Sequence, residues 1–210
     1  MEDYEYMETH LDKPSVYIEV LRDRLAKLDL DVLQHITDAL LEAYSNSKTV
    51  FIFGNGGSGM TASHIAGDYI KGVSFRLEKK FKMICLNDNY TALTAFANDV
   101  NYDYVFVEPL KNFLETGDVV IGLSGSGNSK NVVLALEYAR SKHAVVVGFS
   151  GYNGGKVKEL SDLSVHVDVQ SMEISEDIHM AALHIIKNKI ISKLHGGLGK
   201  NLGAEYLKRI

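Results

Sequence analysis

The 210-residue chain is expected to fold as an α/β protein, a three-layer sandwich with a central parallel sheet preceded by two N-terminal helices. Two observations predict this class. From residue 50 onward, apolar runs of strand length alternate with segments of helical periodicity, the pattern that requires parallel pairing and helices on both faces. Two of those runs, Val50-Phe51-Ile52-Phe53 and Val119-Val120-Ile121-Gly122-Leu123, also lead straight into loops of glycine, serine and asparagine. The loops are Gly54-Asn55-Gly56-Gly57-Ser58 and Ser124-Gly125-Ser126-Gly127-Asn128-Ser129, and each runs on into a helical pattern.

The elements follow in order. Val16, Ile18, Val20, Leu21 and Leu25 are spaced for a helix over residues 16–29, and Val32, Ile36, Leu40, Leu41 and Tyr44 for a second over 31–45. After the strand at 50–53 the periodicities predict a helix over 58–71, a strand at 82–86, a helix over 91–98, a strand at 119–123 and a helix over 128–141. A strand at 144–149, a short helix over 155–160, a strand at 163–167 and a long helix over 173–194 complete the series. A third loop, Ser150-Gly151-Tyr152-Asn153-Gly154-Gly155, reads first as a turn, because glycine and asparagine are ordinary turn residues. No linker or low-complexity block divides the chain, so one domain is expected over 1–210: helices at about 15–46, an α/β core at about 49–194 and a tail from about 195.

Composition limits the partners. A formal net charge of -5 and a pI near 5.9 argue against a general nucleic-acid or membrane-surface binder. The single Cys85 excludes an intrachain disulfide, and it falls in an expected strand as a small buried residue. With no hydrophobic stretch near the N-terminus, the expectation is a cytoplasmic protein.

The loops carry the functional signal. Each ends where a helix begins, so unpaired N–H groups and the positive end of the helix dipole point at the same place and favour an anion. The first loop lacks the Gly-Lys-Ser/Thr ending of a Walker A sequence, and it has no acidic ribose partner for a dinucleotide. The second holds three serines, whose hydroxyls and backbone N–H groups can grip a phosphate without lysine. A phosphorylated ligand is expected.

Taken together, Gly54-Asn55-Gly56-Gly57-Ser58, Asn98-Asp99, Ser124-x-Ser126-Gly127-Asn128-Ser129 and Gly154-Gly155-Lys156 resemble the SIS (sugar isomerase) fold and, within it, the phosphoheptose isomerases. The resemblance covers roughly residues 15–194. It implies a flavodoxin-like sandwich, commonly a homotetramer with active sites at subunit contacts. An isomerase of this kind needs an acid and a base beside C1 and C2 of the sugar. His64 and Asp68, four apart on one expected helix, share a face; Glu176 and His184, eight apart on the last helix, fall on neighbouring faces. Nitrogen and oxygen donors of this kind suit zinc.

The resemblance implies further roles. His64, Asp68, Glu176 and His184 stand where phosphoheptose isomerases have histidine, glutamate, glutamine and histidine, which hold zinc. Asp68 would be the base and His184 the acid. Asn55, Gly56, Gly57, Ser58, Asn98, Asp99, Ser124, Gly125, Ser126 and Ser129 would line the sugar-phosphate site with Asp68 and Glu176. Three departures bear on this mapping. Asp68 is a methylene shorter than the family glutamate, and a base withdrawn by about 1 Å can lose on the order of a hundredfold in rate. Glu176 adds a carboxylate to the metal site, and Gly125 removes a threonine hydroxyl from the phosphate loop. The implied activity is conversion of sedoheptulose 7-phosphate to D-glycero-D-manno-heptose 7-phosphate through an enediol. The alternatives are an isomerase of another ketose phosphate, or a non-catalytic SIS protein that binds a phosphosugar or a partner, as in the relative that associates with the replication initiator DnaA. Away from the site, His166, His179 and His195 are expected to be structural or exposed, and Tyr102 and Tyr104 to serve packing or subunit contact.

Overall fold

A computed structural model of the chain describes residues 10–196, so the expected C-terminal tail lies almost wholly outside the described residues. Five strands, β1 (Val50–Gly54), β2 (Met83–Cys85), β3 (Val119–Ser124), β4 (Val145–Ser150) and β5 (Leu163–His166), form one sheet. Their order is β2-β1-β3-β4-β5 and every pairing is parallel. The strand order reverses between β1 and β3, and the crevice outside the carboxyl ends of those strands is where open α/β sheets take ligands. The two glycine loops are the segments that leave these two strands.

The two-residue period of the strands sorts their side chains into two cores. Val50, Ile52, Val119, Ile121 and Leu123 face helices α2 (Leu30–Ser45), α3 (Gly56–Gly67) and α8 (Met172–Leu194), meeting Leu33, Ile36, Ile65, Ala182 and Ile186. Phe51, Phe53, Val120 and Val146 face the opposite layer, built from α5 (Val107–Lys111), α6 (Lys130–Ser141) and α7 (Gly155–Leu160). Helix α4 (Tyr90–Asp99) adds Leu93 and Phe96 to that second core, and α1 (Pro14–Ala26) packs through Val20 onto Ile174 and Ile178 of α8. Each such aliphatic side chain taken fully out of water contributes roughly 1.5–3 kcal/mol. The layers therefore hold the crevice in shape and leave its loops free to serve a ligand.

Local chemistry fixes the helix starts. The Asp29 carboxylate accepts from Asp31 N at 3.0 Å and Val32 N at 3.1 Å to cap α2, and Asn89 accepts from Ala92 N at 3.1 Å to cap α4. Ser171 does the same for α8, accepting from Ile174 N at 3.3 Å. The helix expected over 58–71 is α-helical only to Gly67; Asp68–Val73 continue as π-helix, a form that is concentrated at functional sites. Helix α5 and a 3-10 turn at Tyr102–Tyr104 were not expected, because five and three residues are too few to display a period. Pro109 is tolerated in the first turn of α5, where its missing N–H has no intrahelical partner to lose. Cys85 lies in β2 as expected, and burial pushes its thiol up to about 12.

Candidate active site

The first loop is completed by residues far away in sequence. Asn55 sits at the start of α3 yet makes no cap bond; its side-chain amide exchanges two hydrogen bonds of 2.9 Å with the amide of buried Asn131. Tyr102 donates from its hydroxyl to the same Asn55 Oδ1 at 2.9 Å, so Asn55 is left with one N–H to offer a ligand. Asn87 clamps the end of β1, donating to Gly54 O at 2.8 Å and accepting from Gly54 N at 3.3 Å. A carboxylate of the chain itself lies beside the first turn of α3: a Cβ placed on Gly57 would fall on Glu176 Oε2 and within 2.6 Å of Oε1. Ser58 adds a long hydroxyl donation to Glu176 Oε1 at 3.4 Å. Glu176 thus lies at a helix N-terminus, where negative charge is favoured, but at that of α3 and not of its own helix.

The second loop is different. Ser124 Oγ donates to Ser129 Oγ at 2.9 Å and stands 3.4 Å from Ser126 Oγ, so the three hydroxyls converge on one another. Ser129 occupies the cap position of α6 without a side-chain cap bond; Val132 N is taken by Asn131 Oδ1 at 2.9 Å, which leaves the amides of Lys130 and Asn131 as the orphan donors of this terminus. The third loop braces it: Gly151 N donates to Gly125 O at 2.8 Å, Val157 N to Gly127 O at 2.9 Å and Lys156 N to Asn128 Oδ1 at 3.2 Å. Gly127 has φ of 68°, and a Cβ there would strike the Gly154 carbonyl, so this position requires glycine. A Cβ on Gly125 would land on Met172 Sδ, so Met172, at the start of α8, occupies the space into which a larger residue at 125 would project.

His64, Asp68 and His184 meet where α3 passes into the π-helical segment and crosses α8. The two imidazole Nε2 atoms are 3.0 Å apart, and each lies 3.6 Å from Asp68 Oδ2. Ligand atoms at about 2.0–2.1 Å from a tetrahedral zinc are separated by about 3.3 Å, so the triangle matches one face of such a site. Its donor set, two imidazoles and a carboxylate, fits zinc as well. Partial burial, followed by the neighbouring Lys187 ammonium, holds the His184 imidazole below its usual value against the opposing pull of Asp68. His184 is accordingly neutral at pH 7 and keeps a lone pair to give. Glu176 stands outside this triangle among the described residues, against the first loop instead.

Asn98 and Asp99 close α4 at the surface, where the Asn98 amide donates to the Asp99 carboxylate at 2.7 Å. Their segment reaches the crevice through Tyr102, which therefore does more than pack. His166, His179 and His195 lie among groups outside the triangle. His166 sits 3.0 Å from both Lys158 Nζ and Tyr152 O, and His195 lies 2.9 Å from Val73 O. His179 is fully buried beneath Phe149 with both ring nitrogens unpartnered, and burial lowers it to about 4.

One site residue carried no sequence signal. Lys187 Nζ lies 2.8 Å from Asp68 Oδ2, and its side chain is only 17% exposed. Its spacing of three from His184 puts the two on one face of α8, but a lysine on a helix is too common to single out.

Comparison with known proteins agrees with this geometry. The SIS domain family model matches residues 16–151. The probable phosphoheptose isomerase of Thermoplasma acidophilum is 33% identical over 176 residues, which span 84% of this chain and 96% of that protein. The phosphoheptose isomerase of Clostridium acetobutylicum is 33% identical over 168 residues, or 80% of this chain and 85% of that one. Among solved structures, a phosphoheptose isomerase from Neisseria gonorrhoeae superposes with a TM-score of 0.78 at 25% identity, covering 85% of this chain and 96% of that chain. The strand order, the paired glycine loops at the switch point and these relatives together place the chain in the SIS domain family, among the phosphoheptose isomerases.

Proposed function

We propose that the protein is a sugar-phosphate aldose-ketose isomerase that interconverts sedoheptulose 7-phosphate and D-glycero-D-manno-heptose 7-phosphate. One observation carries the reading: a carboxylate and two imidazoles converge where α3, the helix that follows the first glycine loop, crosses α8. Ser124, Ser126, Ser129 and the first amides of α6 hold the phosphate, and Asn55 with Glu176 addresses the sugar hydroxyls. Asp68 removes a proton from C1 of the ketose, His184 supplies a proton to O2, and the resulting enediol collapses to the aldose when O1 gives up its proton and C2 gains one. His64, Asp68 and His184 would hold zinc, one ion per subunit, with Glu176 within reach only if its side chain leaves the first loop. When bound, the metal supplies a Lewis acid for the substrate oxygens.

A homotetramer with sites at subunit contacts, a cytoplasmic location and a single domain over the whole chain belong to the same proposal. Exposed Met60 and Ile185, on the two helices that bear the triangle, provide apolar surface there for a neighbouring subunit. Among the described residues no helix is long and apolar enough to cross a membrane. The Met172 thioether beside Gly125 favours a second reading, an isomerase of another ketose phosphate, because it replaces a polar group near the phosphate loop with an apolar one. The test is to incubate the zinc-loaded protein with a panel of ketose phosphates and follow aldose formation by NMR. Aldose from sedoheptulose 7-phosphate alone supports the first reading, and aldose only from another ketose supports the second. Saturable binding without turnover of any of them contradicts both.

A further inference from the structure

We infer that Lys187 is a positioning residue that orients the Asp68 carboxylate and weakens the hold of the His64–Asp68–His184 site on a divalent cation. The inference rests on the metal reading above and goes beyond it, because it assigns the strength of the site to a residue outside the donor set. The oxygen that takes the lysine, Asp68 Oδ2 at 2.8 Å, is the same one that faces both imidazoles at 3.6 Å. An ammonium on that oxygen occupies a lone pair that a metal would use. Its positive charge also stands beside any cation placed in the triangle. Both effects act in one direction, and at 17% exposure the lysine side chain is poorly placed to swing into water and relieve them. The lysine also balances charge. Asp68 and Glu176 bring two carboxylates to a crevice that binds a phosphate, and Lys187 returns one positive charge at the carboxylate that does the chemistry. A site tuned this way leaves its metal more able to polarise a substrate oxygen, since the carboxylate shares its electron density with the lysine.

The experiment measures zinc affinity of the intact protein by competition with a chromophoric chelator, for the wild type, Lys187→Met and Lys187→Arg. Circular dichroism confirms that each variant is folded. The Met variant, close in volume and uncharged, is expected to bind zinc at least tenfold more tightly, and the Arg variant to stay within about threefold of the wild type because the charge is restored. Equal or weaker binding by Lys187→Met, with a wild type that binds one zinc, overturns the role of Lys187 and leaves the metal reading intact. Failure of wild type and variant alike to bind zinc overturns both. Zinc bound only by the variant supports the inference in its strongest form.

Discussion

The two glycine loops share a composition, a place at the switch point and a helix behind them, yet the protein completes them differently. At the first, Glu176 lies over the N-terminus of α3 and Asn55 is pinned by Asn131 and Tyr102. At the second, the serine hydroxyls turn toward one another and Ser129 makes no cap bond to α6. A helix N-terminus selects negative charge without specifying whose it is. Of the two, the first has a carboxylate of the chain against its helix terminus, and the second presents serine hydroxyls there. The His64–Asp68–His184 triangle belongs to the first side of this division, since His64 lies on α3 and Asp68 directly follows it.

Five changes test the contrast. The largest effect is expected from Asp68→Asn, which should lower turnover by on the order of 10²–10⁴ while leaving the Kd for inorganic phosphate within about twofold. A parallel loss of phosphate binding would mean that the two sides are not separate.

Acid should act next, and on the second side. The third loop that braces Gly125 leaves β4, and His179 lies under that strand against Phe149. Its folded-state value of about 4 lies below the 6.5 of an unfolded histidine, so between those values the unfolded chain binds the extra proton. Stability from this group is therefore complete above about pH 6.5 and is lost progressively toward pH 4, by about 3 kcal/mol in all. Urea unfolding at pH 7 and pH 5 measures it, and His179→Leu, which cannot take up a proton, should remove that part of the slope.

The glycines give a smaller and more local contrast. Gly57→Ala would drive Glu176 from the α3 terminus and is expected to cost about 1–3 kcal/mol in stability. Gly125→Ala meets a flexible thioether instead, and is expected to cost less than about 1 kcal/mol, with Met172→Ala reversing it. Equal costs would show that Glu176 is not held at the first loop. The smallest effect is expected from Ser129→Ala, which should weaken phosphosugar binding by about 1 kcal/mol, read as a raised KM with kcat little changed.

Much of this division was legible in the sequence, because its carriers are local. The apolar strand runs, both loops and the pairing of His64 with Asp68 depend on residues close together in the chain, and they fall where the periodicities put them. What escaped depends on partners that are distant in sequence. Asn87, Asn131 and Tyr102 are ordinary polar residues until folding brings them 33, 76 and 47 residues back to the first loop. Met172 was invisible for the same reason, although Gly125 pointed to missing bulk. Glu176 shows the limit most clearly: it lies against the N-terminus of α3, and its partner there, Ser58, is 118 residues before it in the chain. The π-helical turns at Asp68–Val73 leave no mark in composition, since the apolar periodicity of six residues does not separate them from an α-helix.

The division between the loops can be tested directly by mapping amide chemical shifts of the isotopically labelled protein during titration with inorganic phosphate. The amides of residues 126–131 are expected to move and saturate, while those of Gly56, Gly57 and Ser58 stay in place because the Glu176 carboxylate beside Gly57 repels a second anion. Larger shifts at Gly56, Gly57 and Ser58 than in the second loop would contradict it.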